Sequence, residues 1–220
     1  MNLKKRLYLS PLGFLISKVQ NLIASFHRPF MVYGYKNKIR KVWLKNVRIS
    51  SSVVILDKEK IDIGDNVWIW HHTILDASNI IKIGEGCQIG AWVGVFSHSS
   101  HIAVRLHGQD YINVESKDRL GYVRSAVEIG EYTFIGAGAI IFPGVTIGKG
   151  SLIAACSVVN KSVPDFSVVS GNPARVIGNT LDLDKKYFDE MYVQDNYFDR
   201  SAIENYFNEF RAKDGLERSA

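Results

Sequence analysis

IGEYTFIGAGAIIFPGVTIGKGSLIAACSVVNKSVPDFSVVSGNPARV, residues 129–176, divides into sixes. Ile129, Ile135, Ile141, Ile147, Ile153 and Val159 lead successive sixes without a break. Four places after each leader stands a small or β-branched residue: Thr133, Ala139, Val145, Ser151, Ser157 and Val163. A period of six matches neither the 3.6-residue turn of an α-helix nor the plain alternation of a surface strand. It matches a solenoid whose flat sides are short parallel strands joined by tight corners, one hexapeptide to a side. The leading residue then points into a narrow core, and the small residue fills the crowded space beside it. Gly130, Gly136 and Gly148 take the second place, a corner that gains from the lack of a Cβ. Repeated Gly, Pro143 and β-branched residues oppose an amphipathic helix.

Working backwards, the beat is ragged at Val47, with Ile49 and Ile55 leading, and clear from Ile63: IGDNVW, IWHHTI, LDASNI. Ile81 and Lys82 interrupt it, and IGEGCQ, IGAWVG and VFSHSS resume it. Residues 99–126 break it completely. Connections inside a solenoid are normally far shorter, so this loop is expected to serve function. The sixes predict about five to six triangular coils and a prism roughly 25 Å tall. Three segments follow: an N-terminal helical cap over 1–46, the β-helix over 47–178 and a helical extension over 179–220.

In the first segment Leu12, Leu15, Ile16, Val19, Leu22, Ile23 and Phe26 recur at helical spacing after Pro11. No apolar run reaches the roughly 18 residues needed to cross a bilayer. The helix is read first as a cap on the open end of the prism, and second as a peripheral contact of residues 1–30 with the inner face of a membrane. At the other end, Ser201 and Glu204 stand at capping-box spacing ahead of Ile203, Tyr206, Phe207 and Phe210, which predicts a C-terminal helix. The chain of 220 residues has a formal charge of +5. Its basic clusters, Lys4 to Arg6 and Lys36 to Arg48, are read as solvated faces. No nucleic-acid motif accompanies them. Two cysteines, Cys87 and Cys156, make no disulfide framework; Cys87 falls on a small inward position and reads as buried packing, which suits a cytoplasmic protein.

These residues resemble the hexapeptide-repeat acyltransferases, over roughly residues 60–178. The nearest likeness is to sugar O-acetyltransferases of the galactoside and maltose type. IFPGVTIGKGSLIAACSVVNKSVPDFSVVSGNPARVIG carries most of it. The resemblance implies an all-β fold, a left-handed parallel β-helix, and a homotrimer with acetyl-CoA in the groove between prisms. It places Ala137 and Ala155 along the pantetheine arm, and Asn160, Lys161 and Arg175 near the nucleotide, where cationic groups suit phosphates. Gly178 stands where some relatives have a second basic residue, and Phe134 where a Trp is frequent.

Acyl transfer from a thioester needs a base for the acceptor's proton, and imidazole is well matched near neutral pH. The family sets its catalytic His where the repeat breaks into the long loop, which here offers His98 and His101. The likeness of Ser99-Ser100-His101 to the sugar enzymes puts His101 first as general base and His98 second. WHHTILD, residues 70–76, aligns with an acceptor-binding segment, so His71 and Asp76 are assigned to the acceptor. His72 and Trp70 read as cover for the outer face. His107, Arg105 and Tyr111 are loop residues within reach of a sugar. The expected activity is acetyl-CoA-dependent O-acetylation of a glycan, lipid-linked or free, in surface polysaccharide synthesis, with no metal. Three alternatives stay open: a γ-carbonic-anhydrase-like zinc enzyme, a sugar N-acetyltransferase and a non-catalytic scaffold. The spacing of His98 and His101 speaks against the first.

Overall fold

The computed structural model describes residues 10–217. Its centre is a three-sided column of short parallel strands, and each side is a separate sheet. On wall A the inward residues Ile49, Ile69, Ile89, Ile135, Ile153 and Val169 lie in register from coil to coil. On wall B the row is Ile55, Leu75, Val95, Ile141 and Val159. On wall C it is Ile63, Ile83, Ile129 and Ile147, continued by a bridge to Val163. These rows fill one continuous core, in which most of the residues are fully buried. The mostly parallel pairing and the repeat therefore establish a hexapeptide β-helix.

The small fifth position has a physical cause beyond volume. Hydroxyls at this position tie one coil to the next: Thr133 donates to the Gly148 carbonyl at 3.0 Å and Ser151 to the Pro164 carbonyl at 3.0 Å, while Ser157 accepts from the Gly171 N–H at 3.2 Å. Cys87 occupies the same position, fully buried, with Sγ against the Gly130 carbonyl, and burial pushes its thiol up to about 12. The corner glycines earn their place by close approach. A Cβ on Gly136 would stand 2.5 Å from the Ala155 backbone nitrogen. The left-handed residue of a corner comes two places later, as at Gly138 with φ +72°.

The register differs from an even beat of six in two places. Ile49, Ile69 and Ile89 pair at intervals of twenty residues, because the B-to-C side carries two extra residues in each early coil. Ile81 and Lys82 are therefore the first two residues of a regular strand, Ile81–Ile83, rather than an interruption. At the far end the B-to-C side shortens, so Val163 and Val169 turn inward instead of Asp165 and Gly171.

The cap at the first coil is a hairpin, not the helix. Strands Met31–Asn37 and Val42–Ser50 pair antiparallel, and the second lies on Trp68–Ile69. Asn37 is fully buried, and its amide donates to the Ile63 carbonyl at 2.9 Å and to Asp62 at 2.7 Å. Helix α1, Pro11–Phe26, starts as expected: Ser10 accepts from the Gly13 N–H at 3.2 Å, with Pro11 in the first turn. Apart from the half-buried Ile16, its large apolar side chains nevertheless stay exposed, so it covers no end of the column. The basic residues of the hairpin are partly paired, Lys38 with Glu59 and Arg40 with Asp62. Lys4, Lys5 and Arg6 lie outside the described residues.

The long loop folds into a short ladder, His98–Ser99 with Val123–Arg124, and helix α2, Ala103–His107. Past wall A, strand Ser167–Gly171 turns back through Ala174–Asn179. Helices α3 (Thr180–Asp184), α4 (Met191–Asn196) and α5 (Arg200–Glu217) complete the described chain. Asp199, not Ser201, caps α5. Its carboxylate accepts from the Ala202 N–H at 3.2 Å and draws the Ser201 hydroxyl to 2.7 Å. Phe188, fully buried, anchors this segment among Tyr197, Tyr206 and Phe207. Phe198 stacks on Tyr132 of the column, with ring centroids 4.6 Å apart. The Phe210 side chain lies outside the described residues.

Candidate active site

Each inward residue of wall B is followed by one that stands at the B-to-C corner, and these form a column of their own. Leu56, Asp76 and Phe96 are paired coil to coil, and Phe142 and Asn160 continue the position. Asp76 is the one carboxylate in that column. It is nearly buried, and its Oδ1 accepts from the Ser78 hydroxyl at 2.7 Å. Its other oxygen lies 3.2 Å from Nδ1 of His98. That contact is off the hydrogen-bond line, so it is a close approach that leaves Nδ1 without an aligned acceptor. The imidazole is held on another side by the Tyr122 ring, stacked at 5.6 Å and nearly parallel. Beside it opens a recess of about 420 Å³ lined by Asp76, Phe96, His98, Ser99, Ser100, Phe142 and Pro143.

The predicted site residues separate into three places. His98 and Asp76 meet at the recess. His101 is exposed and turned to Ser99, whose hydroxyl lies 2.7 Å from its Nδ1, and its carbonyl accepts from Arg105. His71 does not reach the loop histidines. It sits at the opposite, A-to-B end of the strand that carries Asp76, with Nδ1 2.6 Å from the Ser50 hydroxyl. His72 is stacked on Trp92 at that corner. Ala137 and Ala155 share the same A-to-B corner, in adjacent coils, where the Cys156 N–H donates to the Ala137 carbonyl at 2.9 Å. Arg175 lies near it, on the terminal hairpin opposite Ser170. Asn160 and Lys161 stand exposed at the B-to-C corner, one coil beyond Phe142 and Pro143. On a single column, wall B thus lies between His98 and the two alanines.

Tyr122, Phe96 and Phe142 were missed by sequence reasoning. The signal for the two phenylalanines was available, since both follow an inward residue of wall B as Asp76 does. Tyr122 had none, because the loop that carries it has no period. Tyr111 is engaged within the loop, under the Arg119 guanidinium at 4.1 Å. Among the described residues no group of three or more His, Cys, Asp or Glu side chains converges.

Residues 123–161 match the model of the bacterial transferase hexapeptide, six repeats. Galactoside O-acetyltransferase of Escherichia coli (strain K12) is 31% identical over 67% of this chain and 58% of its own length. A second protein of that strain, named provisionally as a colanic acid biosynthesis acetyltransferase, is 34% identical over 60% of this chain and 66% of its own. The chain thus spans less than two thirds of the length of either relative. A solved galactoside acetyltransferase in complex with coenzyme A superposes with a TM-score of 0.51 at 29% identity, covering 63% of this chain and 64% of that one. Motif, relatives and solved fold agree: this chain is a hexapeptide-repeat protein that resembles the galactoside-type O-acetyltransferases.

Proposed function

We propose that the protein transfers the acetyl group of acetyl-CoA to a hydroxyl of a sugar, working as a homotrimer of left-handed columns. The observation that carries this reading is the His98–Asp76 pair at the floor of an open recess, 3.2 Å apart, where the repeat breaks into its long loop. With Nδ1 turned to the carboxylate, Nε2 is left to accept the proton of the attacking hydroxyl. The sugar oxygen bonds to the thioester carbonyl carbon, backbone amides near the loop steady the oxyanion, and the C–S bond breaks. The CoA thiolate takes the proton back from the imidazolium, so acetyl ester and CoA thiol are the products. Asp76 lies against the Nδ1 side of the ring and holds its orientation, which replaces its sequence-based role in acceptor binding.

Ala137, Ala155 and Arg175 are proposed to hold CoA from a neighbouring column, because they occupy the corner away from His98 on their own. Asn160 and Lys161, above the recess, would meet its phosphates. The coenzyme A complex of the solved relative supports this reading. The names of the curated relatives support a galactoside-like or polysaccharide acceptor. Surface-polysaccharide synthesis in the cytoplasm remains the reading that joins these. His101 is the contrasting candidate for the base.

Release of CoA thiol, followed over a glycan panel with labelled acetyl-CoA, tests the scheme. His98→Ala should lower kcat by about 100-fold or more, with CoA affinity unchanged. His101→Ala should cost less than about tenfold, which is below the usual loss of a general base. The reverse order would move the base to His101. A stoichiometric zinc required for turnover would instead favour the carbonic-anhydrase-like alternative.

A further inference from the structure

The charges of this chain divide at one point. All 22 Asp and Glu residues lie at or beyond Asp57, while 11 of the 27 Lys and Arg residues precede it. Residues 1–56 therefore carry +11 and no acid, and the remainder carries 16 cations against 22 acids, or −6. Overall charge, at +5, conceals this polarity.

The same basic end holds a run of exposed apolar side chains. Leu12, Leu15, Val19, Leu22, Ile23 and Phe26 of α1 are each half or more exposed, and their spacing puts them on one stripe. Ser17, Lys18 and Ser25 fall on the other side. The helix leads into the hairpin, where Phe30, Tyr33 and Trp43 are exposed by 65%, 66% and 61%. Lys36 stands opposite Trp43 on the paired strand, and Lys36, Lys41 and Lys45 have no ion pair among the described residues. Aromatic rings beside lysines suit a boundary that is apolar on one side and wet and anionic on the other. At 16 residues α1 is too short to cross a bilayer, so an apolar stripe there can be buried only by lying in the interface or against protein. A second copy laid segment against segment brings the same surplus of cations with no acid there to offset them, whereas lipid phosphates neutralise it.

We propose that α1 and the Met31–Ser50 hairpin dock the protein on an anionic lipid bilayer, with the helix in the plane of the headgroups. This surface is distinct from the recess at His98 and does not rest on the acetyl-transfer reading. Exposed residues carry it, so substitutions there leave the core intact.

Co-sedimentation of the full chain with large vesicles tests the proposal. Most of the protein should pellet with vesicles of equal parts phosphatidylcholine and phosphatidylglycerol, little with phosphatidylcholine alone, and high salt should release it. Leu15→Glu with Ile23→Glu should weaken binding by on the order of tenfold or more, with far-ultraviolet circular dichroism unchanged. Lys36→Glu with Lys41→Glu, which spares the helix, should weaken it by on the order of 25-fold or more, roughly fivefold for each cation lost at the surface. No binding to the anionic vesicles, or undiminished binding by both variants, would overturn the proposal. So would a helix variant that keeps its vesicle binding but loses mass by light scattering, since the stripe would then join copies of the chain.

Discussion

Gly136 and His98 show two ways in which one position depends on the next coil. Gly136 has an ordinary backbone conformation, yet the chain above runs so close that a methyl group would meet the Ala155 nitrogen at 2.5 Å. Backbone cannot retreat as a side-chain tip can, so Gly136→Ala should destabilise the fold by about 1–3 kcal/mol. Urea denaturation checks this, and an unchanged midpoint would mean the coils separate freely. His98 depends on the coil below, through Asp76. Asp76→Asn keeps the shape but replaces the carboxylate oxygen that lies against Nδ1, so kcat should fall while CoA affinity holds, by stopped assay and calorimetry. The partnership was legible in principle. Asp76 and Phe96 are coil-to-coil partners, and His98 is two residues beyond. A motif likeness drew attention to His101 instead, and only coordinates show that its ring faces Ser99 at the surface.

Among the elements, strands were legible and their boundaries less so. Large aliphatic residues mark every inward position, which is why three walls follow from the sixes. The early coils hid their extra length because the longer side keeps an isoleucine at both ends of its strand, as at Ile61 and Ile63 or Ile81 and Ile83. The first hairpin was not foreseen, since its aromatic and basic residues alternate without a core-facing rhythm. The C-terminal helix was foreseen, but its true cap, Asp199, also holds the segment to the column through Lys149 at 2.7 Å. Hydrogen bonds from Lys149 first, then Ser201, hold its carboxyl down at about 2, against an ordinary 3.8. A depressed acid adds stability above its unfolded value and loses it as the pH falls toward the folded one. The aromatic near-ultraviolet signal of this segment should therefore weaken between about pH 4 and pH 2. Asp199→Asn should show less of that dependence, and an identical titration would discount the pair.

For the whole molecule, the three outer faces differ in a way that favours assembly. Wall C presents Asp62, Lys82, Glu128 and Thr146, with Lys82 and Glu128 paired at 2.7 Å. Wall B presents Val54, Ile74, Gly94, Ile140 and Val158, a row suited to burial against another column. The proposed trimer predicts that Ile74→Asp lowers the mass toward a monomer by light scattering and removes turnover with it. An active monomer would refute a site shared between columns. The eight-stranded wall finishes at both extremities in an antiparallel strand, Met31–Asn37 at one and Ala174–Asn179 at the other, and each of these pairings carries a register irregularity. A repeat that stacks on itself has no inherent stopping point, and a bent, mispaired rim offers a poor template for another chain. Those two hairpins thus set how tall the protein grows, and they oppose the stringing of columns end to end into fibres.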